Sequence, residues 1–509
     1  MIEAAVKLGR LLLGLAALEL AGFGLLAGLM PGPTALSRWE RAAYSFGLGA
    51  LVLTLWMLAL TSLGLPFSLP LILAPTLALA AAAATVGKLI GGGGQGSQTP
   101  APSPKPSPPT PYRGLERGAK TERKFAATFG ASEITENRKQ KTENRLLDWL
   151  FLGLLAALFA FAFLRAALYP IWAWDALATW GCKARIFFLD RAVDLTCIDA
   201  HNYYPNLVPL LLTYLYFCLG QVNDSLVQGV FPLWGALLLA LLYSFLRRLG
   251  LSRRQALGTT TFFALNGTVF IIHLYIAYAD LPLAYFTLGA AGLFYLWLTG
   301  AAPRGSFPLM AVFFAAMAWC KYEGAPLAAT ILLAGALTLA WLRPPDLERR
   351  LLGFVWPTAG LALGYLSWRL FTIYHHIEPG TDHIMSFYPR QLLEAIPMVL
   401  ESLGKPQDFG LLWPATALAL ILSGRRLWTS PRLFLALFLA GNCLAILLAY
   451  ALAPTSAAEF PQYVNATLNR LLLHLTPVAA LLVGEGVRDL GEGQGPEAPA
   501  LPQTPSQPA

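Results

Sequence analysis

Apolar runs close to twenty residues long recur along the chain, and short polar segments separate them. A helix of about 20 apolar residues spans the hydrocarbon core of a lipid bilayer. The pattern therefore predicts an all-α polytopic membrane protein, a transmembrane helix bundle of about thirteen spans. The predicted spans are residues 9–30, 43–64, 66–88, 146–168, 226–246, 256–276, 281–299, 307–321, 325–342, 351–373, 409–424, 432–452 and 470–485.

Two polar segments interrupt this pattern and predict the domain organisation. Residues 89–145 open with "GGGGQGSQTPAPSPKPSPPTP", a composition of Gly, Ser and Pro that cannot bury a core. We predict a disordered cytoplasmic linker there and a second disordered segment in the C-terminal tail at 486–509. These segments leave an N-terminal transmembrane extension at 1–88 and a main transmembrane domain at 146–485.

The composition supports a membrane protein and excludes a nucleic-acid-binding one. Hydrophobic residues make up 56% of the chain and charged residues 13%, whereas a soluble globular protein has roughly 25% charged residues. The net charge of +8 lies mainly in loops between apolar runs, where it sets membrane orientation. The five cysteines do not make a disulfide scaffold. Cys182 and Cys197 share one loop and can pair in an oxidising space, but free thiols are favoured.

The basic loops predict the orientation of the spans, because loops rich in Lys and Arg stay in the cytoplasm. With 89–145 inside, the span at 146–168 runs outward and the loop at 169–203 faces outside. The basic segments predicted to be cytoplasmic are 89–145, 247–254, 343–350 and 424–432.

Two segments complicate this topology. Residues 203–220 are apolar enough for a span, but a crossing there would place the arginines of 247–254 outside. We therefore predict an interfacial helix within the first large outer loop. The side of the membrane on which the N-terminus lies stays open. Three spans before a cytoplasmic linker place the N-terminus outside, whereas Lys7 and Arg10 favour the cytoplasmic side. The conflict disappears if one of the three segments does not cross the membrane.

The alternation of spans brings polar residues from distant parts of the sequence to the outer face. Asp175 lies in the aromatic stretch "YPIWAWDALATWGCKARIFF" (169–188), and Asp280 lies in the very short loop "AYADL" (277–281). Ionisable residues at membrane depth are costly and are usually functional or paired. Two further segments, "CKYEG" and "NATLNRLLLHLTP", add Lys321, Glu323, Arg470 and His474.

Simpler roles stay open for several of these residues. Asp280 can cap the helix that begins near Pro282, and Asp175 can belong to an interfacial aromatic belt. The basic residues that can snorkel to lipid headgroups are Lys183, Arg185 and Arg470. The loop at 374–408 contains His375, His376 and His383, residues of a type that can bind a metal. Their spacing does not define a set of ligands, so a plain polar loop is favoured.

Two carboxylates and several cations at an outer interface suit chemistry on a lipid phosphate ester. Cations hold the phosphate and neutralise the charge that develops as it leaves. A carboxylate accepts the proton of an attacking hydroxyl, and aromatic surfaces hold a sugar ring or an isoprenoid chain.

Five segments resemble the GT-C class of membrane glycosyltransferases, and in particular the bacterial relatives of protein O-mannosyltransferases and the aminoarabinose transferases. That class transfers a sugar with inversion from a polyprenyl-phosphate donor to an acceptor on the extracytoplasmic side. The resemblance covers about 146–485, which it identifies as a GT-C-like catalytic domain. The matching segments are "WAWDALATWGCKARIFF" (172–188), "HNYYPNLVPLLLTYLYF" (201–217), "YADLPLAYF" (278–286), "WCKYEG" (319–324) and "TLNRLLLHLTP" (467–477).

The resemblance implies roles for individual residues. Asp175 corresponds to the general base, and Asp280 to a second acid that supports the acceptor site or shares that role. The candidates for the donor phosphate are Arg470, Lys183, Arg185 and Lys321. The candidates for other substrate contacts are Trp174, Trp180, Tyr204, Tyr278, Glu323 and His474.

The resemblance also implies the setting of the reaction. The protein is expected in the inner (plasma) membrane as a multi-pass enzyme with its site on the extracytoplasmic face. It is expected to use a hexose or pentose donor, to need no cofactor and no metal, and to act on a lipid, polysaccharide or protein acceptor.

The chain departs from these families in its first outer loop and leaves two rival functions open. The Lys-Pro-Pro element of the aminoarabinose transferases is replaced by "YYPNLVP", and Ala176 follows Asp175 where a second acid is usual. A multi-span transporter is one alternative, although no internal repeat is evident and the charges lie at span ends. The other is a polysaccharide ligase or polymerase that uses a lipid-linked sugar, with the loop at 374–408 as its outer loop.

Overall fold

The computed structural model describes residues 2–31, 36–92, 145–196, 198, 201–377 and 386–492, and throughout these ranges the regular structure is helical. Most of the predicted linker and the tail beyond Glu492 lie outside the described residues, as do Cys197 and His383. The helices are α1 (Ile2–Leu29), α2 (Arg38–Ser62), α3 (Leu69–Gly92), α4 (Arg145–Leu168), a π-helix (Ala176–Gly181), α5 (Cys182–Asp190), α6 (Leu207–Leu219), α7 (Asp224–Val227), α8 (Val230–Arg248), α9 (Arg253–Leu265), α10 (Thr268–His273), α11 (Asp280–Thr299), α12 (Ser306–Cys320), α13 (Gly324–Leu342), α14 (Leu347–Leu352), α15 (Val355–Tyr374), α16 (Pro389–Gly404), α17 (Pro406–Phe409), α18 (Leu412–Thr429), α19 (Arg432–Leu452), α20 (Phe460–Leu473) and α21 (Thr476–Glu492).

Nine helices in the described part of the chain are long and apolar enough to cross a membrane, and α20 with α21 makes a tenth if this pair, bent by 49°, is one span. The apolar part of α11 is 94% buried, whereas that of α4 is 11% buried. The helix α11 therefore forms the centre of the bundle, and α4 presents most of its surface to lipid.

Three of the thirteen predicted spans do not form helices of this length and apolarity, and a fourth, 470–485, falls within the bent pair. The segment 256–276 breaks at Gly267, which has a φ of +104° and separates α9 from α10. The segment 307–321 forms the 15-residue α12, and 409–424 ends at Gly424, where a φ of 46° interrupts α18 before two arginines. Apolarity alone therefore does not show where glycine interrupts a run or how long each helix is, and the count of thirteen spans stays a prediction.

The first outer loop contains short helices, as the sequence predicts. The 13-residue α6 covers about 20 Å, which is less than the hydrocarbon core. It is almost entirely buried and packs against α1, α2 and α5. This packing fixes the position of the loop that carries Asp175.

The N-terminal helices pack tightly onto the main domain. The Trp319 indole donates to the Thr54 hydroxyl at 2.9 Å, and the Tyr214 hydroxyl donates to the Gly14 carbonyl at 2.7 Å. Glu40 forms an ion pair with Arg248 at the end of α8. The helix α2 thus lies inside the bundle, against α6, α8 and α12.

Two helices extend beyond the boundaries expected from the sequence. The helix α3 continues to Gly92, within the predicted linker, and α21 continues to Glu492, within the predicted tail. In α21 the continuation is stabilised by Arg488 and Asp489, which form ion pairs with Glu485 and Arg432.

Candidate active site

Asp280 is the centre of a buried ionic network at the start of α11. Its side chain has no solvent exposure and lies among three basic partners. Oδ2 accepts from Arg470 at 3.1 Å, and Oδ1 accepts from Lys321 at 2.9 Å and faces His474 Nε2 at 3.1 Å. Ala279 occupies the N-cap position of α11 and Asp280 is the first residue of the helix, so a role as a simple cap does not describe Asp280.

Arg470 joins Asp280 to the second carboxylate. Its guanidinium forms an ion pair with Asp175, which lies just before the π-helix, and also contacts Asp280. It lies 4.4 Å from the centre of the Tyr278 ring, within range for a cation–π contact. One cation on α20 therefore bridges two acids that are 105 positions apart in the sequence.

The two acids differ in their access to solvent. The Asp175 side chain is 30% exposed, and that of Asp280 is 0% exposed. Among the described residues, Asp175 contacts the cation of Arg470, whereas Asp280 contacts Arg470, Lys321 and His474. A substrate hydroxyl can therefore approach Asp175 more readily than Asp280.

Lys321 extends the network to Glu323 across the short turn between α12 and α13. Its Nζ lies 2.9 Å from carboxylate oxygens of both Asp280 and Glu323. Burial alone would lower the pKa of Lys321, but the two carboxylates outweigh burial and the pKa is raised, so the ammonium stays charged. The second oxygen of Glu323 is buried and has no hydrogen-bond partner within the described part of the chain. We name Asp175, Asp280, Lys321, Glu323, Arg470 and His474 the ionic cluster.

An aromatic cluster of Trp180, Tyr204 and Tyr322 borders the ionic cluster. The Tyr204 ring lies parallel to that of Tyr322, with centroids 6.1 Å apart, and 5.7 Å from that of Trp180. Burial and the nearby Glu323 raise the pKa of Tyr204. A cavity of about 200 Å³ opens beside Tyr322 and is also lined by Trp368 and Arg369.

Two buried polar groups beside the aromatic cluster lack partners. Trp180 Nε1 and both polar atoms of the Asn206 side chain form no hydrogen bond within the described ranges. Buried polar groups are nearly always hydrogen-bonded to protein or ordered water. Water or substrate hydroxyls can satisfy these atoms.

Lys183 and Arg185 form other contacts in the outer loop. Lys183 is buried and its Nζ donates to the His201 carbonyl at 2.6 Å, and burial lowers its pKa to about 7. Arg185 forms an ion pair with Asp224, which also accepts from the Tyr216 hydroxyl at 2.6 Å. Both cations therefore brace the loop instead of joining the ionic cluster.

The remaining predicted substrate contacts are divided between the site and the surface. Tyr278 and His474 contact the ionic cluster, and Tyr204 belongs to the aromatic cluster. Trp174 is 79% exposed and faces outward beside Arg185.

Sequence reasoning missed His273 and Tyr322 as site residues. The His273 ring packs edge-on against Tyr278 at 5.8 Å, and its Nδ1 lies 2.7 Å from the Val269 carbonyl. A single histidine at the end of the apolar run "TVFIIH" was the signal available. Tyr322 lies within "WCKYEG", between the two charged residues that were singled out.

The described ranges contain no group of three or more His, Cys, Asp or Glu residues that could hold a metal ion. The ring of His375 packs against Phe371 at 4.2 Å, and His383 lies outside these ranges. Cys182 is a free thiol, and its suggested partner Cys197 also lies outside.

Comparison with known proteins gives one weak structural likeness. No protein-family model matches the chain, and no curated protein matches it. A solved structure, that of ArnT from Cupriavidus metallidurans in the apo state, matches with a TM-score of 0.46 and 16% sequence identity. The match covers 67% of this chain and 60% of that one, so the chain spans less than two thirds of that protein's length. A likeness of this strength assigns no function.

Proposed function

We propose that this protein is a membrane glycosyltransferase that moves a sugar from a polyprenyl-phosphate donor to an acceptor hydroxyl on the extracytoplasmic side, with inversion. The observation that carries the proposal is the position of Arg470, whose guanidinium bridges a half-accessible and a buried carboxylate. Buried charge networks are expensive to maintain, and they concentrate at functional sites.

The charges of the ionic cluster match those of the reaction. The donor is a phosphodiester with one negative charge, and the departing polyprenyl phosphate carries up to two. Arg470 and Lys321 can stabilise this added charge, because preorganised cations act where charge develops in the transition state. Asp280 contacts both cations and can hold them in place when no donor is bound.

Asp175 is the better candidate for the general base. It is more exposed than Asp280 and it contacts the same guanidinium that would bind the donor phosphate. A phosphate that takes over Arg470 would release Asp175 from its ion pair. The freed carboxylate would then accept a hydrogen bond from the acceptor hydroxyl.

The proposed step is a single displacement. The acceptor oxygen forms a bond to C1 of the sugar while the bond from C1 to the phosphate oxygen breaks. The hydroxyl proton passes to Asp175, and the electron pair of the broken bond leaves with the polyprenyl phosphate. Attack opposite the leaving group inverts the configuration at C1.

The aromatic cluster and Glu323 are candidates for sugar binding. Tyr204 and Tyr322 provide flat apolar surfaces next to the charges. The unpartnered oxygen of Glu323 can accept a hydrogen bond from a sugar hydroxyl.

The proposal is tested by transfer assays in proteoliposomes with a panel of radiolabelled polyprenyl-phosphate monosaccharides and a membrane extract as acceptor source. We expect Asp175→Asn and Arg470→Lys each to lower the initial rate at least about 100-fold, because the first removes the general base and the second weakens the group that stabilises developing charge. Lysine keeps the charge of Arg470 but cannot bridge two carboxylates with a planar fork.

Asp190→Asn is the matched control, because Asp190 is an exposed acid of the same outer loop. We expect the control to keep the wild-type rate, and we expect EDTA to leave all rates unchanged. Full activity of Asp175→Asn and Arg470→Lys would refute the proposed roles. Movement of intact donor across the bilayer without sugar transfer would instead favour a transporter.

A further inference from the structure

A second charged site lies at the end of the bundle opposite the ionic cluster. A cavity of about 580 Å³ opens there, next to Thr299 at the end of α11 and the turn between α18 and α19. The helix α11 begins at Asp280 and has 20 residues, so the two sites lie about 30 Å apart along it. Nothing in the proposed sugar transfer uses this cavity.

The cavity wall is rich in arginine. Four arginines and Glu485 contribute to it, and Glu485 is 1% exposed. The arginines are Arg248, Arg426, Arg432 and Arg488.

Ion pairs neutralise only part of this charge. Arg432 pairs with Glu485 and Asp489, and Arg248 pairs with Glu40. Two of these carboxylates, Asp489 and Glu40, lie outside the wall, so the wall itself holds four arginines and one carboxylate, Glu485. The wall therefore favours an anionic ligand.

Arg426 is the arginine best placed to reach a ligand. Its side chain is 66% exposed, and one terminal nitrogen contacts Asp489 at 3.2 Å. A guanidinium has five N–H donors in a planar fork that fits phosphate oxygens. Among the described residues, Asp489 is the contact of this guanidinium, which leaves most of the donors of Arg426 for a ligand.

Glu485 adds a second requirement for the ligand. Its Oε2 accepts from Arg432 and Arg488, each at 2.8 Å. Its Oε1 is buried and accepts no hydrogen bond of normal geometry in the described part of the chain, although the Tyr295 hydroxyl of the cavity wall lies close to the Glu485 carboxylate. A ligand that carries a hydroxyl or ammonium donor beside its anionic group would satisfy this oxygen.

The surroundings of the cavity correspond to the headgroup depth of a bilayer. The Trp341 indole donates to the Trp428 carbonyl at 2.9 Å, and Trp428 immediately precedes a residue of the cavity wall. Tryptophan is enriched at membrane–water interfaces. Leu418 and Ile421 of α18 are exposed and provide an apolar surface for an acyl chain.

The chain's own polar segments do not fit the cavity. The segment 89–145 contains more Lys and Arg than Asp and Glu, so the cavity would repel it. The tail after Glu492 has a single acidic residue, Glu497. An external ligand is therefore favoured on charge.

We propose that this cavity binds the headgroup of a membrane phospholipid, with the arginines holding its phosphate and Glu485 accepting from a hydroxyl or ammonium of the same headgroup. Phosphatidylglycerol and phosphatidylethanolamine have this chemistry. Phosphatidylcholine has the phosphate but no N–H or O–H donor, so it should bind more weakly.

The test is native mass spectrometry of the purified full chain in detergent, titrated with these three lipids with identical acyl chains. Arg426→Ala should weaken binding of phosphatidylglycerol about tenfold, as expected for the loss of one hydrogen bond to a charged group. Arg425→Ala is the matched control, because Arg425 is the exposed neighbour outside the cavity wall. Glu485→Gln should reduce the preference for phosphatidylethanolamine over phosphatidylcholine.

Several outcomes would overturn the proposal. One is equal weakening by Arg426→Ala and Arg425→Ala, and another is equal binding of all three lipids to the wild type. A thermal shift caused by glycerol 3-phosphate or phosphoethanolamine, without binding of the lipids, would identify a soluble phosphate ester as the ligand and exclude the lipid. Since Arg426 is largely exposed, its substitution should leave the fold intact, and an unchanged Tm would verify this.

Discussion

Arg470 illustrates how far residue-level reasoning can reach. The sequence places Asp175, Asp280 and Arg470 on one face of the membrane, because the parity of the spans requires no knowledge of side-chain geometry. The structure adds that Arg470 contacts both acids and that Asp280 is the more buried of the two. Relative exposure could not be predicted, since it depends on how α6, α11 and α20 pack around each carboxylate.

Lys183 and Arg185 show the limit of the same reasoning. Both were predicted as ligands of the donor phosphate from their residue type and their loop. The π-helix at Ala176–Gly181 lies between Asp175 and these cations. A π-helical turn contains an extra residue, so the side chains that follow it point in directions different from those in a continuous α-helix. The directions of Lys183 and Arg185 were therefore not predictable from their spacing to Asp175.

The buried Lys183 gives a prediction for the pH dependence of stability. Burial lowers its pKa in the folded state to about 7, below the ordinary lysine value of 10.5. Between these values the unfolded chain binds more protons than the folded chain, so the free energy of unfolding should rise with pH. The slope approaches about 1.4 kcal/mol per pH unit for one proton.

We therefore expect the Tm of the wild type to rise from pH 7.0 to pH 8.5 relative to that of Lys183→Met, because the variant lacks this titration. The measurement is thermal unfolding in detergent, with Lys88→Met as a control for the loss of an exposed lysine. Parallel pH profiles for wild type and Lys183→Met would show that Lys183 does not titrate in this range.

At the scale of the elements, the helices α12 and α15 pack very closely against each other. Gly360 and Gly364 of α15 lie one turn apart and face the backbone of α12. A Cβ atom at Gly364 would lie 2.1 Å from the Ala315 carbonyl oxygen, which is far inside contact distance. Small residues spaced in this way let membrane helices approach closely. The spacing is visible in the sequence "GLALG", although the partner helix is not.

Gly364→Ala should therefore lower stability, because the added methyl group forces α12 and α15 apart. Overpacking of this kind typically costs about 1–3 kcal/mol. Gly153→Ala is the matched control, since Gly153 of α4 has open space around the new methyl group. Thermal unfolding should give a lower Tm for Gly364→Ala and an unchanged or higher Tm for Gly153→Ala. A Tm for Gly364→Ala at or above that of the control would contradict the packing.

At the scale of the whole molecule, the sequence predicts which charged loops share one end of the bundle. Residues 247–254 and 424–432, predicted to share the cytoplasmic side, both line the cavity at the end of α11 opposite Asp280. Loop charge is a local property that can be recognised without knowing where each helix ends. Apolarity does not reveal where a helix ends, so the shortness of α12 and the interruption of α18 at Gly424 were not predicted.

The position of the N-terminal helices leads to the last prediction. The sequence separates residues 1–88 from the main domain, whereas α2 is buried against α6, α8 and α12. Removal of residues 2–92 would expose the partners of α2, including Trp319 and Arg248, whose hydrogen bonds to Thr54 and Glu40 would be lost. Loss of one partner from a buried ion pair typically costs about 3–5 kcal/mol.

We expect the truncated chain to aggregate or to elute as a broad peak in fluorescence-detected size-exclusion chromatography. Co-expression of residues 1–92 as a separate polypeptide should restore a single peak, because the contacts between the two parts are side-chain and packing contacts that need no covalent link. The same co-expression with Glu40→Ala should restore it less well, since Arg248 would lack its carboxylate. A truncated chain with the wild-type profile and Tm would show that the N-terminal helices are dispensable for the fold, as the division of the sequence at residue 88 first suggested.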